Sequence, residues 1–241
     1  FGLPGIVNTA GLADVYRSYG NPAVAFTPAV DTGRYHPPSQ PRPPAPARIF
    51  FYGRPSQPRN AFGLGLAALR LVKRRFGDRV RILCAGEDWN PGQYGAADVL
   101  ENLGQLGDLD AVAALYRSCH IGLSFMLTPH PSYQPLEFMA CGMATVSNRN
   151  LHTGWLLRDE ENALLAPALP AAVAGQIGRL VDDAALRERI ARAGREAVAG
   201  ARWEEEIDRV WDAMTSHPDR FESDSDRAPR RPASKGTLLL G

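Results

Sequence analysis

From residue 48 onward the chain alternates between two hydrophobic rhythms. Short, mostly apolar runs at residues 49–52, 80–85, 121–125 and 144–147 read as buried strands. Shorter strands are expected at 99–103 and 162–165. Between them, apolar residues recur at helical spacing. Phe62, Leu66, Leu69 and Val72 mark a helix over 61–76, with Asn60 suited to cap it. Further helices are expected at 110–118, capped by Asp108 or Asp110, and at 136–140. Three more follow at 171–181, 184–198 and 203–214. This alternation predicts the α/β class: a doubly wound parallel sheet covered by helices on both faces.

The ends of the chain do not follow this rhythm. Residues 1–31 offer a strand end at 6–8, a helix at 10–19 and a strand at 24–26, too little for a domain, and read as the remnant of a preceding one. Prolines crowd residues 32–46, an interdomain linker. Residues 47–216 form the main domain, and the polar, charged stretch 217–241 reads as a disordered tail or a linker. The chain starts at Phe1 rather than Met, as a piece of something longer does.

Composition narrows the function classes. A formal net charge of +1 over 241 residues gives no electrostatic case for nucleic acid. No apolar run is long enough to span a bilayer, so any membrane contact is expected to be peripheral. Cys84, Cys119 and Cys141 are widely spaced, which fits buried reduced thiols and a cytoplasmic setting.

Two segments carry candidate chemistry. In P-H-P-S-Y-Q-P-L-E-F-M-A-C-G-M-A-T-V (129–146), a proline-rich loop leads from an apolar strand into a short helix bearing Glu137. That strand edge is where open α/β sheets bind ligands. Glu137 either stabilises the helix start or accepts hydrogen bonds from ribose hydroxyls, with Ser132, Tyr133 and Gln134 offering amides to a phosphate. The loop G-R-P-S-Q-P-R-N (53–60) brings Arg54 and Arg59 to another helix start. Taken alone they are two solvated arginines; with the helix amides they suit a diphosphate.

Other motifs carry less. G-L-G-L-A-A (63–68) lies inside a helical pattern, too far past its strand to be a dinucleotide fingerprint, and reads as close helix packing. D-L-D (108–110) reads as helix capping rather than a metal site, and no His/Cys/Asp/Glu cluster shows ligand spacing. His120 and His152 are isolated, while His130 lies in the ligand-facing loop, able to touch a donor sugar.

Taken in order, these segments resemble family 4 glycosyltransferases of the GT-B fold. L-E-F-M-A-C-G (136–142) is similar to the second half of their E-x7-E motif, and G-R with a later basic residue is similar to G-R-x-x-x-x-K-G, with Arg59 at the lysine position. P-A-V-D-T-G-R-Y-H-P (28–37) resembles the hinge pattern P-x-G-V-D-x-x-R-F-x-P. L-E-N-L-G-Q-L (100–106) resembles V-x-F-L-G-x-V, whose backbone contacts the base, which places Leu106 at the donor. L-Y-R-S-C-H-I-G-L-S-F (115–125) and N-A-L-L-A-P (162–167) resemble two further family elements, and the likeness runs from about residue 28 to 214.

The resemblance implies a Rossmann-like, C-terminal, donor-binding half of a sugar transferase, with Gly53, Arg54, Arg59, Leu106, His130, Ser132, Tyr133, Gln134 and Glu137 around the nucleotide sugar. Arg54 and Arg59 would carry catalysis by balancing the leaving diphosphate. It also implies retention, no metal, no cofactor beyond the donor substrate, a glycan acceptor and a missing N-terminal domain. The wording of 51–60 and 132–140 is closest to the bacterial rhamnosyltransferase branch, hence a donor such as dTDP-rhamnose. One departure stands out: Pro129 occupies the place of the first acid of E-x7-E. It leaves open a non-catalytic nucleotide-sugar-binding module of a larger glycan-assembly protein. A sugar-nucleotide 2-epimerase is a third alternative, although no acid/base pair for it is evident.

Overall fold

In the computed structural model, residues 5–128 and 132–216 are described. The expectations at Pro129 and His130, and for the tail 217–241, lie outside the described residues. In chain order the strands are β1 (Gly5–Val7), β2 (Ala23–Ala25), β3 (Ala47–Tyr52), β4 (Val80–Ala85), β5 (Glu101–Asn102), β6 (Ile121–Leu123), β7 (Ala144–Asn148) and β8 (Leu164–Ala166). The helices are α1 (Ala10–Ser18), α2 (Phe62–Phe76), α3 (Leu109–Ser118), α4 (Gln134–Ala140), α5 (Pro170–Asp182), α6 (Ala184–Val198) and α7 (Trp203–Thr215).

Strands β3 to β8 form one parallel sheet in the order β5-β4-β3-β6-β7-β8. The order reverses between β3 and β6, which makes the crevice beyond their carboxyl ends the expected ligand position. The mostly apolar runs follow from burial on both faces. Along β3, Ile49 and Phe51 join a core beneath α2 and α5, while Phe50 points into a second core beneath α3 and α4. There Phe50 meets Tyr116 at 4.9 Å and Phe138 at 5.6 Å between ring centroids. Gly65 lets α2 approach the sheet: a Cβ there would lie 2.3 Å from the Phe51 ring.

The expected elements are present with shifted ends. The strand expected at 99–103 shrinks to two residues, because Gly104 turns the chain at φ 68° and Asn102 spends its side-chain amide on the carbonyls of Glu87 and Trp89. Asn60 does not cap α2. Ala61 holds the cap position at φ 49°, while the buried Asn60 turns inward to the Phe125 carbonyl at 3.5 Å.

β1 and β2 pair in a small parallel sheet backed by α1. The last helix, α7, returns to this small unit. Glu206 accepts from the Thr27 amide (2.9 Å), Arg209 donates to the Ala25 carbonyl (2.6 Å), and Trp203 lies against Phe26. Among the described residues no helix is long and apolar enough to cross a membrane.

The proline-rich segment is docked along the large unit. Arg42, largely buried, donates to the carbonyls of Arg117 (2.9 Å), Gly142 (2.8 Å) and Cys141 (2.6 Å), which closes the carboxyl ends of α3 and α4. Arg42→Ala is expected to cost about 2–4 kcal/mol in denaturant unfolding, since it strands buried carbonyls. An unchanged midpoint would refute that role. His120, expected to be isolated, is part of the same seam. Its Nδ1 accepts from the Arg48 amide and its Nε2 donates to the Pro43 carbonyl, both at 3.0 Å, and burial pushes its pKa down to about 4.

Candidate functional site

The loops that leave the carboxyl ends of β3, β4, β5 and β6 are stitched to one another. Ser56 donates its amide (3.2 Å) and hydroxyl (2.7 Å) to Glu87 after β4. Asp88 accepts from the Gln105 amide at 3.0 Å and lies so close to Gly104 that a Cβ there would sit 2.0 Å from its Oδ1. The Leu127 amide donates to the Arg59 carbonyl (2.9 Å), which joins the β6 loop to the β3 loop across the switch point. Asn148 holds the Met126 amide and carbonyl, both at 3.0 Å, and Asn150 holds the carbonyls of Met126 and Thr128. Sequence reasoning passed over these clamps; N-R-N (148–150) just past a strand end was the available signal.

Gly53 and Arg54 follow β3 directly. A side chain at Gly53 would collide with Cys84, its Cβ only 2.4 Å from the Sγ, and the Gly53 carbonyl accepts from Trp89 Nε1 at 3.2 Å. Arg54 leans on Tyr52: its guanidinium carbon lies 5.9 Å from the ring centroid and Nη1 is 3.3 Å from the phenol oxygen. Gly86, at φ 126°, makes room for both; a Cβ there would lie 2.8 Å from the Tyr52 ring and 3.1 Å from Arg54 Cγ. Arg54 Nε is buried and has no hydrogen-bond partner among the described residues. Arg59 is exposed on the same loop.

Across the switch point, α4 begins at Gln134. Ser132 is buried and its hydroxyl donates to the Gln134 side chain. Tyr133 is partly buried and its ring stands 6.4 Å from that of Trp203 on α7. Glu137, in the first turn of α4, lies on the side carrying Leu136, Phe138 and Tyr116, a cluster that Tyr52, Leu106 and Tyr133 also cover. The loops of Gly53, Arg54 and Arg59, of Leu106, and of Ser132 to Glu137 thus share one edge of the sheet.

The hydroxyls of Tyr116 and Tyr35 face the Glu137 carboxylate and favour its charged form. Burial raises the Glu137 pKa to about 7, and the two phenols pull it back only in part. Burial, then the Glu137 charge, pushes the Tyr35 and Tyr116 phenols well above their usual range. Neither tyrosine was a candidate in the sequence, because their partner is far away along the chain. Asp108 and Asp110, the D-x-D pair, are occupied otherwise. Asp108 caps α3 through the Ala111 amide (2.6 Å) and Asp110 pairs with Arg34 (2.9 Å). Burial pushes the thiols of Cys84 and Cys141 up to about 12 and that of Cys119 up to about 11.

An opening of about 420 Å³ lies where the carboxyl ends of the two sheets face each other. Asn8, Thr9 and Gly11 line it from the start of α1, and Phe26 and Thr27 from the end of β2. His152 and the half-exposed Trp155, from the segment after β7, face them.

Comparison with known proteins agrees with this architecture. Residues 47–178, more than half the chain, match the family described as WsaF, C-terminal domain. The chain is 45% identical over 221 residues to the O-antigen biosynthesis protein RfbC of Myxococcus xanthus, covering 90% of this chain but only 17% of that protein. Among solved structures, it resembles the C-terminal domain of the glycosyl transferase group 1 family protein LpcC of Francisella tularensis (TM-score 0.62, 20% identity, covering 71% of this chain and 97% of that one). It also resembles HepE of Anabaena, solved with UDP and glucose (TM-score 0.70, 15% identity, covering 88% of this chain and 62% of that one). A parallel six-stranded sheet with a 53–60 loop and an α4 acid at its switch point is thus built on the GT-B glycosyltransferase fold, and the chain belongs to the WsaF C-terminal domain family.

Proposed function

We propose that this chain is the donor-binding half of a glycosyltransferase that builds a cell-surface glycan. One observation carries the reading: a buried guanidinium nitrogen on Arg54 without a hydrogen-bond partner among the described residues, on a loop that opens at the switch point. A cation held on one side by Tyr52, with donors unspent, suits a diphosphate. Arg59 adds a second fork and the first turn of α4 adds amides, so charge on the departing nucleoside diphosphate is balanced by groups fixed in advance. Glu137 takes the ribose hydroxyls, and the loop carrying Leu106 faces the base. HepE, on the same fold, binds UDP and glucose, and RfbC is named for O-antigen biosynthesis; both support a nucleotide-sugar donor and a glycan acceptor.

The finer expectations rest on resemblance: a deoxyhexose donor such as dTDP-rhamnose, transfer with retention, and charge balance by arginines without metal. Calorimetric titration with UDP, dTDP and GDP tests the site and its base preference together. Absence of binding to all three would sink the reading. The alternative, a non-catalytic binding module, is favoured by Pro129 standing where an acid is expected. Donor transfer by the longer protein excludes it.

In this reading the small unit belongs to an acceptor-side domain. Ile6, Ile207 and Trp211 are each more than half exposed on or beside it, an apolar surface that further chain would cover. The 420 Å³ opening then receives the acceptor, with Trp155 as a platform for a sugar ring. Trp155→Ala in the longer protein is expected to raise the acceptor KM about tenfold and leave the donor KM within about twofold. Equal changes in both would remove Trp155 from the acceptor site.

A further inference from the structure

We propose that Tyr35, carried on the segment that joins the small unit to the large one, is a positioning residue that holds the Glu137 carboxylate in place for the ribose of the nucleotide. The inference rests on the reading of Glu137 as the ribose acceptor. A carboxylate offers about four lone-pair sites. Tyr35 and Tyr116 take up part of that capacity, and the remainder would accept the two donor hydroxyls of a ribose.

The geometry is built rather than incidental. Tyr35 is 5% exposed and Tyr116 3% exposed, and their rings stack at 6.2 Å with 29° between planes. The turn that presents Tyr35 is held from both ends. Asp31 accepts from the amides of Gly33 (3.0 Å) and Arg34 (3.2 Å) through its side chain, and from Tyr35 (2.8 Å) through its carbonyl. Arg34 pairs with Asp110 on α3 at 2.9 Å, and Arg117 on α3 donates to the Arg34 carbonyl at 2.9 Å.

The groups around Glu137 leave this work to the phenols. Tyr116 faces it from α3, with Tyr52 of β3 behind. Tyr35 faces it from the joining segment, with Arg34 beside Tyr35. Cys141 lies just past the end of α4, itself next to Arg117 and Arg42. Among the described residues no guanidinium or ammonium group forms an ion pair with Glu137, and the two hydroxyls are what favours its charged form.

The test is Tyr35→Phe, which keeps the ring and its stack. The Glu137 carboxyl is followed by carbon NMR, assigned by its loss in Glu137→Gln, and UDP affinity is measured by calorimetry from about pH 5.5 to about pH 8.5. Loss of one stabilising hydrogen bond should raise the Glu137 titration by about one pH unit. The acid limb of UDP binding should rise with it, giving about tenfold weaker binding near pH 6 and within about twofold at the alkaline end. If the carboxyl titration does not move while Glu137→Gln loses affinity, Tyr35 does not position Glu137, although Glu137 still serves the donor. If the titration moves but Glu137→Gln binds UDP like the wild type, the ribose role fails and this inference with it.

Discussion

Arg54→Ala in the longer protein is expected to lower kcat for sugar transfer by about 10²–10³-fold, with UDP affinity falling as well. The reasoning is electrostatic. Negative charge grows on the diphosphate as the sugar leaves, and Arg54 is held before the reaction by its contact with Tyr52 and by the space that Gly86 leaves. A donor fixed in advance costs no reorganisation when the charge develops. The variant should fold, because the described hydrogen bonding of the guanidinium is one contact at 3.3 Å to Tyr52. Arg54→Lys separates charge from geometry: it keeps the cation and loses the fork, so its rate should lie between the two. Steady-state kinetics with thermal unfolding as the folding control decide the matter, and unimpaired transfer by the alanine variant removes Arg54 from the mechanism.

Glu137→Gln should weaken UDP binding about 10–100-fold at pH 8, the loss expected when hydrogen bonds to a charged acceptor disappear. It should also stabilise the fold there. The Glu137 pKa rises from an ordinary 4.5 to about 7, first because of burial. Between those values the folded chain holds a proton that the unfolded chain has released, so stability falls as pH rises through this window. Above pH 7 the penalty for keeping the buried charge approaches about 3 kcal/mol, part of which the amide recovers. Denaturant unfolding at about pH 8 should therefore show the variant about 1–3 kcal/mol more stable than the wild type, with the gap closing below about pH 5. A gap of the same size at both pH values would show that Glu137 is not the titrating group. Instability retained at a site in exchange for binding is the usual signature of a functional residue.

The candidate site was legible as far as each residue's role depends on its own neighbourhood. Gly53, Arg54 and Arg59 follow an apolar run, and Glu137 precedes a helix-closing glycine, so both segments could be placed at strand ends by reading along the chain. Asn60 shows where such reading fails. Its type suits a helix cap, but the β6 loop needs a donor at the Phe125 carbonyl, and that demand comes from a loop more than sixty residues away. Residues 99–103 are apolar enough for a full strand, yet the Asp88 and Asn102 side chains bend the chain away after two pairs.

Local periodicity therefore settles the α/β class, the order of strands and helices, and which loops leave the carboxyl ends, because each depends on the polarity of consecutive residues. It is silent on partners. The adjacency of β3 and β6, the return of α7 to the small unit, the grip of Arg42 on two helix ends, and the meeting of Tyr35, Tyr116 and Glu137 all join residues remote in sequence. A hydrophobic pattern records that a side chain is buried, whereas only the packed chain specifies against what, and the Glu137 pKa depends on that answer.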